Sequence, residues 1–407
     1  MIKPPLPLAA LILAIAACAP LRDTREPDER SDATPSFATA GMDHAAIAEA
    51  FLTESTAADN VDSPAAWRAP DGRTWLFATA KEGGGVLIYD GDDGHLLRRI
   101  GREGDAAGEF RRPNGISVVG DLVFVVERDN RRVQMLSLPQ LQTLAMFGSE
   151  QLQQPYGLWV RALSDQRFEV TVTDAYMAGE KANGDDLPPP LPELGRRMQR
   201  YEVLVQTDEV RTRHLGAFGD ITAAGAIRIP ESIWGDVAHD RLLIAEEDTA
   251  IGTAVREYDL AGNYRGRTLG LGRFKAQAEG IALWQCADGS GYWIATDQFP
   301  DRSLFHVYDR ASLRHLGAFA GHTVANTDGV WLHQAATSRF PNGVFYAVHD
   351  DQGVGAFDWR DIAKALALRT DCSDPVFPHA ANLLLDRPIP RAPDFTLIPA
   401  HPSKNWR

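Results

Sequence analysis

The sequence predicts an all-β fold, a six-bladed β-propeller, and two repeating features carry this prediction. A short apolar strand ending at or next to a polar turn residue recurs at intervals of roughly fifty residues, the length of a four-stranded blade. Most copies are followed by an apolar residue and a glycine, as at Ile100 and Gly101. The six copies are residues 86–90, 133–137, 201–205, 255–259, 305–309 and 354–358.

The propeller is expected to occupy residues 46–371. In the first repeat, residues 75–79 and 86–89 flank three glycines, which is typical of a β-hairpin. In the second repeat, residues 108–134 resemble the NHL repeat, another blade of six-bladed propellers. Both observations favour blades built of short antiparallel strands.

The later repeats contain one interruption. Residues 181–197 in the third repeat include three consecutive prolines, which a regular strand excludes, so they predict an insertion loop. A short helix is predicted over residues 361–368. Residues 372–407 are rich in proline and predict an extension that packs on the propeller or supplies its closing strand. The remaining repeats centre on residues 242–245, 291–295 and 343–347.

The composition fits one large acidic domain. The chain has 407 residues, and the repeat favours a single propeller over several average domains. With 44% hydrophobic and 24% charged residues, the chain is not wholly disordered. A net charge of −14 disfavours a nucleic-acid partner and suits cation binding, because hard cations prefer oxygen ligands.

The N-terminus is typical of an export signal. Lys3 precedes an apolar run over residues 6–17, which is shorter than the about twenty residues of a membrane span. Cys18 follows small residues, as in the bacterial lipobox. Residues 1–18 therefore predict a lipoprotein signal peptide with Cys18 lipidated, and an ordinary cleaved signal is the alternative. Residues 19–45 predict a flexible tether, and the expected location is the cell envelope, on an outer membrane.

Two further cysteines remain once Cys18 is assigned to lipid. Cys286 and Cys372 form an even pair in an oxidising compartment. A disulfide between them and two unrelated buried thiols are both compatible with the sequence.

Carboxylates gather at the predicted strand ends on one side of the propeller. The densest group consists of Glu231, Asp236, residues 246–248, Glu279 and Asp328. Neighbouring carboxylates raise one another's pKa, and a bound divalent cation relieves this repulsion. Residues 246–248 taken alone also fit a solvated turn.

A series of short motifs resembles the β-propeller phytases, in the same order, over about residues 55–365. The strand end at residues 244–248 follows Glu231 at the spacing of that family. The other matching segments are residues 62–67 (DSPAAW), 79–81 (TAK), 155–158 (PYGL), 279–281 (EGI), 291–295 (GYWIA), 308–310 (YDR), 327–329 (TDG) and 340–345 (FPNGVF).

The resemblance implies a calcium-dependent phosphomonoester hydrolase of the 3-phytase type. It would release phosphate from phytate or a related small organic phosphate by metal-activated water, as a monomer with several calcium ions. The implied metal ligands are Asp62, Glu231, Glu247, Glu279 and Asp328. The implied catalytic group is Glu231, Glu247, Lys81 and Tyr156. The implied substrate-binding residues are Lys81, Tyr156 and Arg310. Cations suit this chemistry because a phosphomonoester is a dianion whose charge must be neutralised before attack.

The sequence departs from the family pattern at three places. Residues 114–119 lack the expected arginine, Gln277 stands where an aspartate is frequent, and Gly353 and Gly355 replace an asparagine and a lysine. Each lost cationic contact removes a charge-assisted hydrogen bond worth roughly 1.5–3 kcal/mol. The alternative function is therefore a non-catalytic, NHL-like propeller that acts as a membrane-anchored binding scaffold.

Overall fold

The computed structural model describes residues 35–182, 184 and 186–372, and nearly half of these residues are strands, almost all of them in six mainly antiparallel sheets. Two short strands precede the first sheet, β1 (Ala45–Ala46) and β2 (Phe51–Leu52). Blade 1 contains β3 (Val61–Arg68), β4 (Thr74–Ala80), β5 (Gly85–Asp90) and β6 (Leu96–Ile100). Blade 2 contains β7 (Pro113–Val119), β8 (Leu122–Glu127), β9 (Arg132–Ser137) and β10 (Thr143–Phe147).

The third and fourth blades follow the same plan. Blade 3 contains β11 (Pro155–Ser164), β12 (Arg167–Asp174), β15 (Met198–Val205) and β16 (Val210–Phe218). A small hairpin of β13 (Gly179–Glu180) and β14 (Asp186–Leu187) lies between β12 and β15, within the predicted insertion. Blade 4 contains β17 (Pro230–Asp236), β18 (Arg241–Glu246), β19 (Ala254–Tyr258) and β20 (Tyr264–Leu269).

The last two blades each take a strand from the N-terminal segment. Blade 5 contains β21 (Gln277–Gln285), β22 (Gly291–Gln298), β23 (Ser303–Asp309) and β24 (His315–Ala320), and β1 adds to its outer edge in parallel with β24. Blade 6 contains β25 (Val330–His333), β26 (Val344–His349) and β27 (Gly353–Asp358). Its outer strand is β2, which pairs with β27 and so closes the ring.

The first strands of the blades line the central axis and contact one another in a closed ring. β3 contacts β7 and β25, and the ring continues through β11, β17 and β21. Apolar side chains such as Phe77, Phe124 and Phe305 fill the space between sheets and are fully buried. Burial of one such side chain stabilises the fold by about 1.5–3 kcal/mol. The predicted fold, an all-β six-bladed propeller, is confirmed.

The repeat found in the sequence is the third strand of each blade. The six copies coincide with β5, β9, β15, β19, β23 and β27. The apolar residue and glycine that follow mark the end of the fourth strand, as at Ile100 in β6 and Phe147 in β10. The sixth copy lacks this signal because its fourth strand, β2, precedes the first blade in sequence. The N-terminal segment, rather than the C-terminal tail, supplies the closing strand.

The segment before blade 1 packs on the propeller from residue 36 onwards, although residues 36–45 are predicted as tether. The Phe37 ring of α1 (Phe37–Ala40) lies 5.4 Å from the ring of Phe299, between ring centroids. The Phe37 backbone N–H donates to Asp301 Oδ1 at 2.7 Å. Glu49 accepts backbone N–H groups from Thr323 and Val324, both at 2.8 Å. A few apolar residues within a polar stretch thus order this segment.

The C-terminal end of the described chain is fastened to blade 5. Helix α2 (Trp359–Leu366) begins two residues before the predicted helix, and Asp358 caps it by accepting from the Arg360 backbone N–H at 2.9 Å. Trp359 stacks on Trp284, with ring centroids 4.8 Å apart. A disulfide joins Cys286 to Cys372, which was one of the two interpretations of this pair.

Several expectations fall on residues that the structure does not describe. These are the signal peptide, the lipidation of Cys18, the tether up to residue 34 and nearly all of the C-terminal extension. Among the described residues, the structure contains no helix with the length and apolar character of a membrane span.

Candidate active site at the propeller mouth

Six residues occupy equivalent positions where the first strand of each blade begins, on the face that we call the mouth. Each is followed by glycine or serine, and in five blades the strand pairing shifts register across these two residues. Such bulges re-aim side chains locally. We call these residues the mouth ring, which consists of Asp62, Asn114, Tyr156, Glu231, Glu279 and Asp328.

The small residue after each ring position lets neighbouring blades approach closely. A Cβ on Gly157 would lie 2.6 Å from the Glu231 carbonyl oxygen, and one on Gly329 would lie 2.8 Å from the Asp62 carbonyl oxygen. Only glycine tolerates such an approach. Thr173 Oγ1 adds a bridge between blades by donating to the Glu231 carbonyl oxygen at 2.9 Å. The ring is therefore held by backbone contacts between blades.

One half of the ring is built around Lys81, which directly follows β4. Lys81 Nζ lies 3.3 Å from Asp62 Oδ2 and 3.3 Å from Asp328 Oδ2. Tyr156 Oη donates to Asp62 Oδ2 at 3.3 Å, and Asn114 Nδ2 lies 3.4 Å from the same oxygen. The structure thus brings together four of the predicted site residues.

The other half of the ring contributes Glu231 and Glu279, which form a cluster with Glu247. Glu231, Glu247 and Glu279 each offer a carboxylate oxygen, and these atoms all lie within 4.8 Å of one another. Burial and the charge of Glu279 raise the pKa of Glu231 well above its ordinary range. Gln277 Nε2 donates to Glu247 Oε1 at 2.7 Å. The predicted glutamate ligands therefore lie together.

These glutamates fit a calcium ion. Glu231 Oε2 is buried and has no hydrogen-bond partner among the described residues. Leaving such an oxygen without a partner costs free energy. Calcium takes roughly six to eight oxygen ligands and accepts irregular geometry, which suits three carboxylates from two blades. Glu231 and Glu247 belong to blade 4 and the loop that follows β18, and Glu279 belongs to blade 5.

The two halves form one site. Burial raises the pKa of the Tyr156 hydroxyl well above its ordinary range, and the charges of Asp62, Glu231, Asp328 and Glu279 raise it further. The Tyr156 hydroxyl therefore interacts electrostatically with carboxylates of both halves. Burial also raises the pKa of Asp328, while the neighbouring Lys81 acts in the opposite direction.

The consecutive residues Glu246 and Glu247 have different roles. Glu246 ends β18, is fully buried, and accepts the backbone N–H groups of Arg228 and Ile229 at 2.7 and 3.0 Å. Burial raises its pKa to about 7. Carboxylates at the same strand end in other blades accept backbone N–H groups in the same way. They are Glu127, Asp174 and Asp297. Glu246 thus binds the backbone just before β17, whereas Glu247 belongs to the glutamate cluster at the mouth.

Sequence reasoning assigned no role in the site to three of its neutral residues. Asn114 contacts Asp62, Gln277 contacts Glu247, and Gln298 Nε2 donates to Asp328 Oδ1 at 2.6 Å. Asn114 holds the ring position of blade 2, so alignment of the six strand starts would have found it. Gln298 ends β22 and carries no such positional signal.

Arg310 does not join the mouth. It follows β23 at the opposite end of the blade and is buried, with its Nε and Nη2 2.8 and 2.7 Å from the Asp236 carboxylate oxygens. Asp236 ends β17, seven residues long, whose start carries Glu231. This ion pair ties blade 4 to blade 5, and it explains why Asp236 is also absent from the mouth.

Arg310→Met is expected to lower the free energy of unfolding by about 3–5 kcal/mol, because the buried Asp236 carboxylate would lose its guanidinium partner and keep only His239 and a backbone N–H. Urea denaturation measures this loss, with Arg314→Met as the control, since Arg314 is exposed at the start of the next strand. Calcium affinity of the folded variant should not change. A stable Arg310→Met variant with impaired substrate binding would instead restore Arg310 to the site.

The fold and the mouth ring define a class of protein, the six-bladed propeller with a cluster of buried carboxylates at its mouth. Residues 227–380 match the sequence profile of the family described as Phytase, a segment that contains Glu231, Glu247, Glu279 and Asp328. Together with the six-bladed arrangement, this match over part of the chain supports a similarity to the phytase-like β-propeller family.

Other comparisons give only distant similarities. No curated protein matches the chain. A streptogramin B lyase structure is 12% identical, covers 75% of this chain and 96% of its own, with a TM-score of 0.42. A calcium-binding regucalcin from Agrobacterium tumefaciens is 11% identical, covers 77% and 95%, with a TM-score of 0.45. A nidogen/laminin complex is 13% identical, covers 67% and 85%, with a TM-score of 0.44.

Proposed function

We propose that this protein is a calcium-dependent phosphomonoester hydrolase that releases phosphate from phytate or a related small organic phosphate. One observation carries the proposal. The mouth ring, together with Lys81 and Glu247, brings five carboxylates, one ammonium group and one phenol into one site. These groups belong to Asp62, Glu231, Glu247, Glu279, Asp328, Lys81 and Tyr156. The family match supports the hydrolase class.

The charge of the mouth supports a requirement for cations. When ionised, the five carboxylates outnumber the ammonium group of Lys81, so the cation-free mouth repels a phosphate dianion. The residues that would hold calcium are Glu231, Glu247 and Glu279, joined by Asp62 and Asp328. Bound calcium would neutralise phosphate charge and lower the pKa of a water molecule, the source of the nucleophile.

The remaining side chains of the site have binding and positioning roles. The Lys81 ammonium is a point charge on a flexible stem and would pair with a phosphate oxygen. The pKa of the Tyr156 hydroxyl is raised, so the hydroxyl keeps its proton. It would donate a hydrogen bond to a second phosphate oxygen. Gln277 and Gln298 each donate to one carboxylate oxygen and thereby orient Glu247 and Asp328.

We further propose that the protein is exported and anchored by lipid at Cys18, and that it acts as a monomer. The sequence of residues 1–18 supports the anchor. The described propeller begins at residue 36, so a short stretch of chain would join it to the membrane.

Phosphate release by the purified protein, measured on phytate and a panel of simpler esters with and without calcium, tests the function. We expect release that requires calcium and stops with a chelator. Calcium binding without release from any ester would instead support the second candidate, a non-catalytic binding scaffold. The observation that favours the scaffold is the stretch of residues 114–119, which offers valine and lacks the phosphate-binding arginine of the family pattern.

A further inference from the structure

The Lys81 ammonium group lies between two carboxylates, in a position that suits a cation. Its Nζ atom is equidistant from Asp62 Oδ2 and Asp328 Oδ2, at 3.3 Å from each. The three side chains expose 2%, 0% and 3% of their surface to solvent, so the arrangement is buried. The two oxygens therefore converge on one point, which the ammonium group fills.

The other oxygens of the two carboxylates are held by neutral donors. Asp62 Oδ1 accepts from Ser63 Oγ at 2.8 Å, and Asp328 Oδ1 accepts from Gln298 Nε2 at 2.6 Å. These bonds fix both carboxylates without the help of Lys81. The geometry of the oxygen pair is thus expected to persist when the ammonium group leaves.

A lysine ammonium group and a divalent cation differ in how well they suit this position. A lysine ammonium is a single charge on a four-carbon stem that can swing away. A divalent cation has twice the charge and prefers carboxylate oxygens in a closely packed shell. Two carboxylates on one ammonium group leave a net negative charge, which favours the divalent cation.

We propose that Lys81 is an exchangeable counter-ion, which holds Asp62 and Asp328 in the cation-free protein and gives up its place to a divalent cation. The freed ammonium group then becomes available to a phosphate oxygen, a consequence that rests on the proposed function. Cation binding at Asp62 and Asp328 thus competes with Lys81, and this place is weaker for calcium than it would be without the lysine.

Calorimetric titration with calcium alone tests the exchange. Lys81→Met is expected to bind calcium at Asp62 and Asp328 at least about tenfold more tightly than the native protein, within the usual range of coupling between two ligands. Lys81→Arg keeps the charge and should resemble the native protein. Lys275→Met is the control, because Lys275 lies on an exposed mouth loop and its Nζ donates to the Gly272 carbonyl oxygen. Equal calcium affinity in native protein and Lys81→Met would overturn the proposal.

A measurement on the native protein covers the case in which Lys81→Met does not fold. Labelling with an amine-reactive reagent, followed by mass spectrometry, reports the accessibility of each lysine. Calcium should increase labelling of Lys81 and leave Lys275 unchanged; unchanged or decreased labelling of Lys81 would contradict the exchange. Neither measurement needs turnover, so failure to release phosphate would count against the proposed function and leave this inference standing.

Discussion

Glu247→Gln is expected to lower calcium-dependent phosphate release by about 100-fold or more, because the variant loses a charged ligand where phosphate charge must be neutralised. Its calcium affinity should fall as well. Phosphate release per folded protein and calcium calorimetry measure the two effects. The neutral glutamine keeps the size of the side chain, so a large change in fold is not expected.

The neighbouring residue supplies the matched control. Glu246→Gln removes one charge from the adjacent position, but that carboxylate faces the backbone N–H groups of residues 228 and 229. We expect it to cost about 1–3 kcal/mol of stability, the usual penalty for a buried hydrogen-bond group left without its partner, and to keep calcium affinity and activity within a few-fold. If Glu246→Gln lost activity with an intact fold, or Glu247→Gln kept it, the assignment of the two glutamates would be reversed.

Calcium is expected to raise the free energy of unfolding by about 2.7 kcal/mol per site at a concentration one hundred times its dissociation constant. For a domain of this size the melting temperature should rise by several degrees, and a chelator should reverse the rise. Inorganic phosphate without calcium should have no effect, because the cation-free mouth is acidic. Thermal melts with each addition measure these shifts.

A comparison with magnesium and a comparison with Glu279→Gln show whether the stabilisation comes from calcium at the glutamate cluster. Magnesium should stabilise less than calcium, because it demands a regular octahedral shell and dehydrates reluctantly. Glu279→Gln should reduce the calcium effect, since Glu279 belongs to the glutamate cluster. A melting temperature that stays constant at millimolar calcium would argue against a metal centre and for the scaffold.

The fold could be predicted from the sequence because each blade repeats its third strand. The position of Val86 and Val133 is buried in all six copies. A strand that is buried on both faces is rich in apolar residues, and this gives the repeat its pattern. The closing strand was not predictable in the same way. Phe51–Leu52 is two residues long, and its pairing with β27 depends on contacts across the whole chain.

The site was predictable where its residues follow strand ends and belong to recognisable motifs. Asp62, Lys81, Tyr156 and Asp328 lie together as expected. Arg310 failed this test because it lies at the end of blade 5 away from the mouth, where it pairs with Asp236, 74 residues away in the sequence. Gln298 was missed because a neutral amide at a strand end has no distinctive pattern before its acceptor is known.

Closure of the ring by β2 links the assembly of the site to the completion of the chain. Lys81 and Asp328 are separated by 247 residues, and they meet only when blade 6 docks against blade 1. Blade 6 itself is complete only when Phe51–Leu52 pairs with β27. In a nascent or truncated chain that lacks the last blade, Lys81 therefore has Asp62 but not Asp328, and the pair of carboxylates that would hold a cation is incomplete. Cation binding at this position thus reports that the propeller has closed.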